Sequence, residues 1–241
     1  MNNTRTVSDT KRAFYSIHTR PINSVYRRVV EELMVEMHLL LVNVDFHYDP
    51  IYALGVVTAF DRFMQGYQPE SDRESIYNAL IGALQDDPAR YRSEANRLQE
   101  LAQTLSVKDL VSWAQEAKNS PGDNELQHNF HKIASNPKHK YSRLFAIGLF
   151  TLVEKADPQV VEDNEVAEET LAQLASGLNL PQDKLQKDLE LYRSNLEKLI
   201  QARTVMDEIA QAERKRREQR TAKPPVDPTP ESTPEEVSSD S

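Results

Sequence analysis

The sequence predicts an all-α protein, a multi-helix bundle that ends in a long coiled-coil-like helix and a disordered tail rich in Pro, Ser and Glu. Apolar residues recur with helical spacing, as at Val25, Val29, Leu33 and Met37. Eight prolines from Pro21 to Pro181 follow one another at intervals of 16 to 33 residues, the length of a helix plus a loop. Sustained alternation of apolar and polar residues is absent, as are the Asn-Gly and Asp-Gly turns of hairpins.

Helix starts are marked by residues that satisfy free backbone amides. An aspartate can cap a helix and a following proline needs no hydrogen-bond donor, so the three Asp-Pro pairs predict starts. These pairs are Asp49-Pro50, Asp87-Pro88 and Asp157-Pro158. Two Ser-x-x-acid patterns, at Ser71 and Ser106, predict capping boxes, and Gly66 and Gly177 mark helix ends. We therefore predict helices over residues 9–17, 23–43, 50–65, 72–85, 88–105, 107–118, 124–134, 140–155, 163–176 and 181–220.

Three glycines lie inside apolar helical segments, at Gly55, Gly82 and Gly148. Each weakens its helix by up to about 1 kcal/mol relative to alanine. We expect that this loss is offset by close approach of packed helices.

The last predicted helix carries a heptad that weakens along its length. Its first five positions are apolar: Leu185, Leu189, Tyr192, Leu196 and Leu199. Arg203 interrupts the pattern, which ends after Ala210. The first half can therefore pack on the body or on another coil, and the second half is expected to bury nothing apolar and to project as an arm. We assign residues 1–180 to a helical body, 181–220 to this helix and 221–241 to a disordered acidic tail.

Charge and composition exclude several classes of function. The 241 residues include no cysteine and only six glycines, which rules out disulfides, thiolate metal sites and cysteine nucleophiles and disfavours glycine-rich phosphate loops. The net charge is −9, with +5 over residues 1–30, +3 over 213–220 and −13 over 31–212. An acidic body argues against nucleic acid, and two basic ends suit an anionic protein or membrane surface. Since the longest apolar run has about ten residues, we expect a soluble or peripheral protein without a signal peptide.

Motifs for chemistry are few. A helix could carry Glu125, His128 and His131 on one face, but a di-iron bundle needs a second Glu-x-x-His pair, so we expect neither metal nor cofactor. The loop triplet of Asp45, His47 and Asp49 is interpreted as a helix cap with its neighbours rather than as an acid–base pair. No nucleophile elbow or Walker sequence is present, and no catalytic residue is assigned.

Two basic segments are candidates for partner binding. The 28 residues from Leu126 to Val153 contain no acid but hold Lys132, Lys138, Lys140 and Arg143. This stretch is either a solvated loop before a core helix or a docking face for anionic lipid or an acidic protein. The second segment is the tip of the last helix, with Arg214, Lys215, Arg216 and Arg217. It either complements the helix macrodipole or serves as an electrostatic handle.

Three long segments have a recognisable sequence: residues 7–40, residues 48–64 (YDPIYALGVVTAFDRFM) and residues 141–150 (YSRLFAIGLF). They resemble the thylakoid formation protein 1 family, also called the photosystem II biogenesis family. The resemblance covers about residues 5–210. The family opening begins within ten residues of Met1, as is typical of a cyanobacterial member without a transit peptide.

The resemblance implies an all-helical, non-enzymatic accessory protein for thylakoid organisation and for photosystem II assembly and repair. It implies association with the membrane-embedded FtsH-type protease and a peripheral position on the cytoplasmic side of the thylakoid membrane. It supplies no catalytic residues. The alternative is a membrane-surface organiser that binds anionic lipid directly through residues 1–30 or 126–143.

Overall fold

The computed structural model describes residues 5–221, and over this range the chain forms eleven helices and no strand. The helices are α1 (Val7–Ile17), α2 (Ser24–Leu41), α3 (Pro50–Phe63), α4 (Glu70–Gly82), α5 (Pro88–Gln103), α6 (Val107–Glu116), α7 (Glu125–Ala134), α8 (Arg143–Ala156), α9 (Pro158–Glu162), α10 (Asn164–Gly177) and α11 (Gln182–Thr221). The all-α prediction is therefore confirmed. The predicted acidic tail lies outside the described residues from position 222 onward.

The centre of the bundle is the pair α3 and α8. Every residue of α8 from Leu144 to Val153 is buried, and so is most of α3. Helix α3 also packs on α5, while α1 contacts α2 and α4, and α6 contacts α7 and α10. The middle parts of these two helices are apolar on all sides, as is typical of helices that other helices surround.

Glycines allow α3 and α8 to cross at backbone contact distance. A Cβ atom on Gly55 would lie 1.7 Å from the carbonyl oxygen of Leu144, and one on Gly148 would lie 1.9 Å from that of Ile51. The expectation of close helix approach is confirmed at both positions. It is wrong at Gly82, the last residue of α4, where an added Cβ would meet only the Ile17 side chain at 3.5 Å.

The Asp-Pro pairs begin helices as predicted. Asp49, Asp87 and Asp157 each accept a hydrogen bond from a backbone amide of the helix that follows. The third pair opens the short helix α9, which the predicted helix list lacks. The Ser106 capping box is confirmed, with Asp109 accepting from the Ser106 amide at 2.9 Å.

The capping box at Ser71 is wrong. Helix α4 begins at Glu70, two residues before the predicted start at residue 72, with Pro69 in the cap position and no side-chain cap. Ser71 is therefore already inside the first turn. Two capping boxes that were not predicted start α1, at Thr6, and α7, at Asn124.

The described helices divide after Leu199 into two units, and α11 contributes to both. In the first unit, the heptad residues Leu185, Leu189 and Tyr192 are buried, and Leu196 and Leu199 pack partly against the core. The heptad therefore seals this part of α11 onto the bundle. In the second unit, the described side chains of α11 are exposed or half-buried.

Candidate partner-binding surfaces

The Asp45–Asp49 loop has the structural role expected from the sequence. The Asp49 carboxylate accepts from the Tyr52 amide at 2.9 Å, and His47 Nδ1 lies 3.0 Å from the carbonyl oxygen of Asp45. Burial, opposed by hydrogen bonds from backbone amides, raises the pKa of Asp49 to about 7. Its carboxyl group is committed to the start of α3.

The histidines of α7 are also held by local partners. His128 Nδ1 lies 2.8 Å from the carbonyl oxygen of Asn124, and His131 Nδ1 lies 2.7 Å from that of Ala117. Glu125 accepts two hydrogen bonds from Arg97, both 2.6 Å long. Among the described residues, no group of three or more histidine and acidic side chains could hold a metal ion.

The structure nevertheless brings the two motifs to one cleft of about 620 Å³. It is lined in part by His47, Asp49, His128 and His139. Buried Asn129 Nδ2 and His139 Nε2 have no hydrogen-bond partner. Burial, and next the nearby His47, lowers the pKa of His139. This cleft could not be predicted from the sequence, because its walls come from segments about 80 residues apart.

The acid-free stretch 126–153 contributes fewer available cations than its composition indicates. Arg143 is largely buried and forms an ion pair with Glu36 of α2. Lys132, Lys138 and Lys140 are exposed, and none has an ion pair with another described residue. The three lysines therefore carry the accessible positive charge of this segment.

The basic N-terminal segment is largely neutralised within the fold. Four of its six basic side chains form ion pairs. The pairs are Lys11–Glu31, Arg12–Asp9, Arg20–Asp72 and Arg28–Glu32. The net charge of +5 over residues 1–30 is thus not a free basic surface.

The basic tip of α11 is helical and solvent-exposed. Arg214 donates to Glu218 at 3.1 Å, an exposed pair that is worth little. Lys215 and Arg216 are exposed, and the Arg217 side chain lies outside the described residues. The structure thus presents at least two cations of this cluster to solvent.

An apolar stripe precedes this tip, and the heptad of the last helix includes only one of its residues, Met206. Ala202, Val205, Met206 and Ile209 follow i, i+3, i+4, i+7 spacing, and Val205 and Ile209 are 53% and 55% exposed. Met206 is also a heptad position, whereas Ala202, Val205 and Ile209 are not. The expectation that the second half of α11 has nothing apolar to bury is therefore wrong, because Val205 and Ile209 lie outside the heptad on which it was based.

The chain matches known proteins along most of its length. A sequence profile of the thylakoid formation protein family matches residues 6–221. The chain belongs to this family. Thylakoid formation proteins similar to it include Protein Thf1 of Trichormus variabilis, 62% identical, with 93% of this chain and 97% of the relative covered. Protein Thf1 of Nostoc punctiforme is 60% identical, with 91% of this chain and 94% of the relative covered.

A solved structure has the same fold. Psb29, determined at 1.55 Å, is 47% identical and superposes with a TM-score of 0.77 over 88% of this chain and 98% of its own. Thf1 relatives at 52–62% identity are all cyanobacterial, so the predicted family and its cyanobacterial type are confirmed. Within the described range, no helix of this family member is both long and apolar enough to cross a membrane.

Proposed function

We propose that this protein is a non-enzymatic accessory factor in thylakoid formation and photosystem II biogenesis that acts by binding or stabilising the FtsH-type thylakoid protease. Family membership and the likeness to Psb29 support the role in thylakoid formation and photosystem II biogenesis. The protease is the partner that the family resemblance implies. A peripheral position on the cytoplasmic side of the membrane is part of the same proposal.

The observation that carries a docking role is the surface of α11 between residues 202 and 216. Its apolar stripe has the i, i+3, i+4, i+7 spacing of helices that insert into a partner's hydrophobic groove. The exposed Lys215 and Arg216 follow directly. Such a surface fits a groove with an acidic rim, since the stripe supplies buried area and the cations speed association and fix orientation.

The test is affinity recovery of the protease from solubilised thylakoid membranes, quantified by mass spectrometry. One variant changes Arg214, Lys215, Arg216 and Arg217 to Gln. A second changes Val205, Met206 and Ile209 to Gln, which keeps helix propensity and removes the stripe. The matched control is Lys138→Gln with Lys140→Gln, two exposed cations on the bundle.

We expect both α11 variants to lower protease recovery at least about tenfold, which corresponds to ~1.4 kcal/mol, while the control matches wild type. Raising salt from ~50 to ~500 mM shortens the Debye length from roughly 14 Å to about 4 Å. High salt should therefore weaken wild type toward the level of the basic-tip variant. Full recovery by both α11 variants, with unchanged circular dichroism, would eliminate this surface as the docking site.

Direct binding to anionic lipid is a second candidate function. It is favoured by Lys132, Lys138 and Lys140, which are exposed and lie on the bundle rather than on the distal part of α11.

A further inference from the structure

An apolar patch is exposed where α2 ends. Leu39 and Val42 lie one turn apart at the end of α2 and are 57% and 43% exposed. Val44, in the loop that follows, is 91% exposed. Their exposure could not be predicted from the sequence, since Leu39 and Val42 adjoin the apolar seam of α2.

The loop that presents Val44 is held by hydrogen bonds and by an aromatic contact. Asn43 accepts from the Asp45 amide through Oδ1 at 3.0 Å and from the Phe46 amide through its carbonyl oxygen at 3.1 Å. Phe46 then turns inward and meets the Tyr52 ring edge-on, with ring centroids 5.0 Å apart. Val44 is therefore exposed on a turn that the contacts of Asn43 and Phe46 hold in place.

The loop that holds Val44 lies beside a segment with two exposed lysines, Lys138 and Lys140. His47 and His139 line the same cleft, which places the α2–α3 loop beside the loop that carries Lys138 and Lys140. On the other side, Leu39 and Arg143 line one groove, and Arg143 is paired with Glu36 of α2. The loop between α2 and α3 holds two acidic residues, exposed Asp45 and the helix cap Asp49, and the groove beside Leu39 is also lined by Glu31, Glu32 and Glu36.

We infer that Leu39, Val42 and Val44, together with Lys138 and Lys140, form a surface that contacts an anionic lipid bilayer. Three apolar side chains fall well short of the ~800 Å² that each partner buries in a specific protein interface. They suit shallow insertion among lipid headgroups, where apolar groups enter the interface and flanking lysines attract anionic lipid. Each lysine has a long aliphatic stem, so its ammonium group can reach the phosphates while the valines insert.

The inference rests on the second candidate function, direct binding to anionic lipid, and not on the protease proposal, because it is tested with lipid alone. The full chain is floated with vesicles of phosphatidylcholine, or of phosphatidylcholine with phosphatidylglycerol, at low salt. Variants are Val44→Thr, which removes apolar character at nearly constant size, and Lys138→Gln with Lys140→Gln. The matched control is Val166→Thr on α10, a valine that is 43% exposed away from this loop.

Wild type should bind the anionic vesicles at least about tenfold better than the neutral ones. The double lysine variant should bind about 25-fold more weakly, roughly fivefold for each lysine. Val44→Thr should lose about threefold, and Val166→Thr and the four-Gln variant of the α11 tip should bind like wild type.

Equal binding of wild type to neutral and anionic vesicles, or no binding at all, would overturn the inference. So would an equal loss for Val44→Thr and Val166→Thr. If the patch variants bind lipid normally but recover less protease, the patch is a protein-docking surface and the lipid assignment is wrong. Circular dichroism and thermal melting of each variant identify a loss that comes from misfolding.

Discussion

Two helical regions with similar apolar residues differ in what those residues contact. Helix α8 buries every residue from Leu144 to Val153 against the bundle. In α11, Val205, Met206 and Ile209 have comparable side chains but remain exposed. The residues of α8 are apolar around the whole helix, whereas those of α11 form one stripe among charged residues. Apolar side chains on all faces thus serve the protein's own stability, and a lone exposed stripe is available to another molecule.

The largest effect is expected where α3 and α8 cross. Gly148→Ala places a Cβ atom only 1.9 Å from the carbonyl oxygen of Ile51, so the two helices must separate. We expect a loss of about 1–3 kcal/mol in the free energy of unfolding, and more for Gly148→Leu. Urea denaturation followed by circular dichroism measures it.

Gly82→Ala is the matched control, because the added methyl group meets only the tip of Ile17 at an ordinary distance. This variant should be neutral or more stable by up to about 1 kcal/mol, the helix propensity of alanine over glycine. Equal stability of Gly148→Ala and wild type would show that the crossing is looser than the glycine geometry indicates.

An intermediate effect is expected from Asp49 at the start of α3, and it depends on pH. Burial raises the pKa of Asp49 to about 7 in the folded state, above its ordinary value of 3.8. The folded state therefore holds this proton more tightly than the unfolded state, and the resulting stability is lost as pH rises through about 7. Because Asp49 is still partly exposed, screening reduces the effect, and we expect a loss of about 1–2 kcal/mol between pH 4 and 8.

Asp49→Asn removes this titration and keeps a residue that caps helices well. The difference in unfolding free energy between wild type and Asp49→Asn should fall as pH rises, measured by denaturation at several pH values. The same substitution at Asp87, the exposed cap of α5, controls for the change of cap. A difference that stays flat with pH would contradict the raised pKa.

The smallest effect is expected in the stripe of α11. Changing Val205, Met206 and Ile209 to Gln, the substitutions that should abolish docking, should alter the free energy of unfolding by less than about 0.5 kcal/mol each. Leu189→Gln in the same helix should cost about 3 kcal/mol, since Leu189 is buried against the bundle. A comparable loss for the stripe variants would mean that the stripe stabilises this chain itself.

Most of the fold was predictable because local chemistry marks where helices begin. Asp-Pro pairs fix three starts, and the heptad from Leu185 identifies the buried part of α11. The prediction of close helix approach failed at Gly82, because tertiary packing decides which glycine lies at a helix crossing. Gly82 and Gly148 have the same sequence context, apolar neighbours in a helix, and only the packing of α3 on α8 separates them.

The candidate surfaces were less predictable than the fold, for two physical reasons. The sequence shows which residues are charged but not which of them form ion pairs. Arg143 was therefore predicted to be available to a partner, whereas in the structure it is paired with Glu36. The sequence also does not show which apolar residues are exposed. Val44, in the loop before α3, is 91% exposed, whereas Val57, within α3, is 2% exposed. The patch at Val44 could therefore be identified only from the structure.

The crossing of Gly55 and Gly148 also sets the order of events during synthesis. The two glycines are 93 residues apart, so α3 cannot obtain its principal partner until α8 has been made. At translation rates of about 5–20 residues per second, the apolar surface of α3 waits roughly 5–20 seconds for α8. A chain with such long-range contacts folds more slowly than a bundle of sequential neighbours. The nascent protein thus has a defined interval in which the apolar surface of α3 lacks its main partner, and the interval ends when α8 has been made.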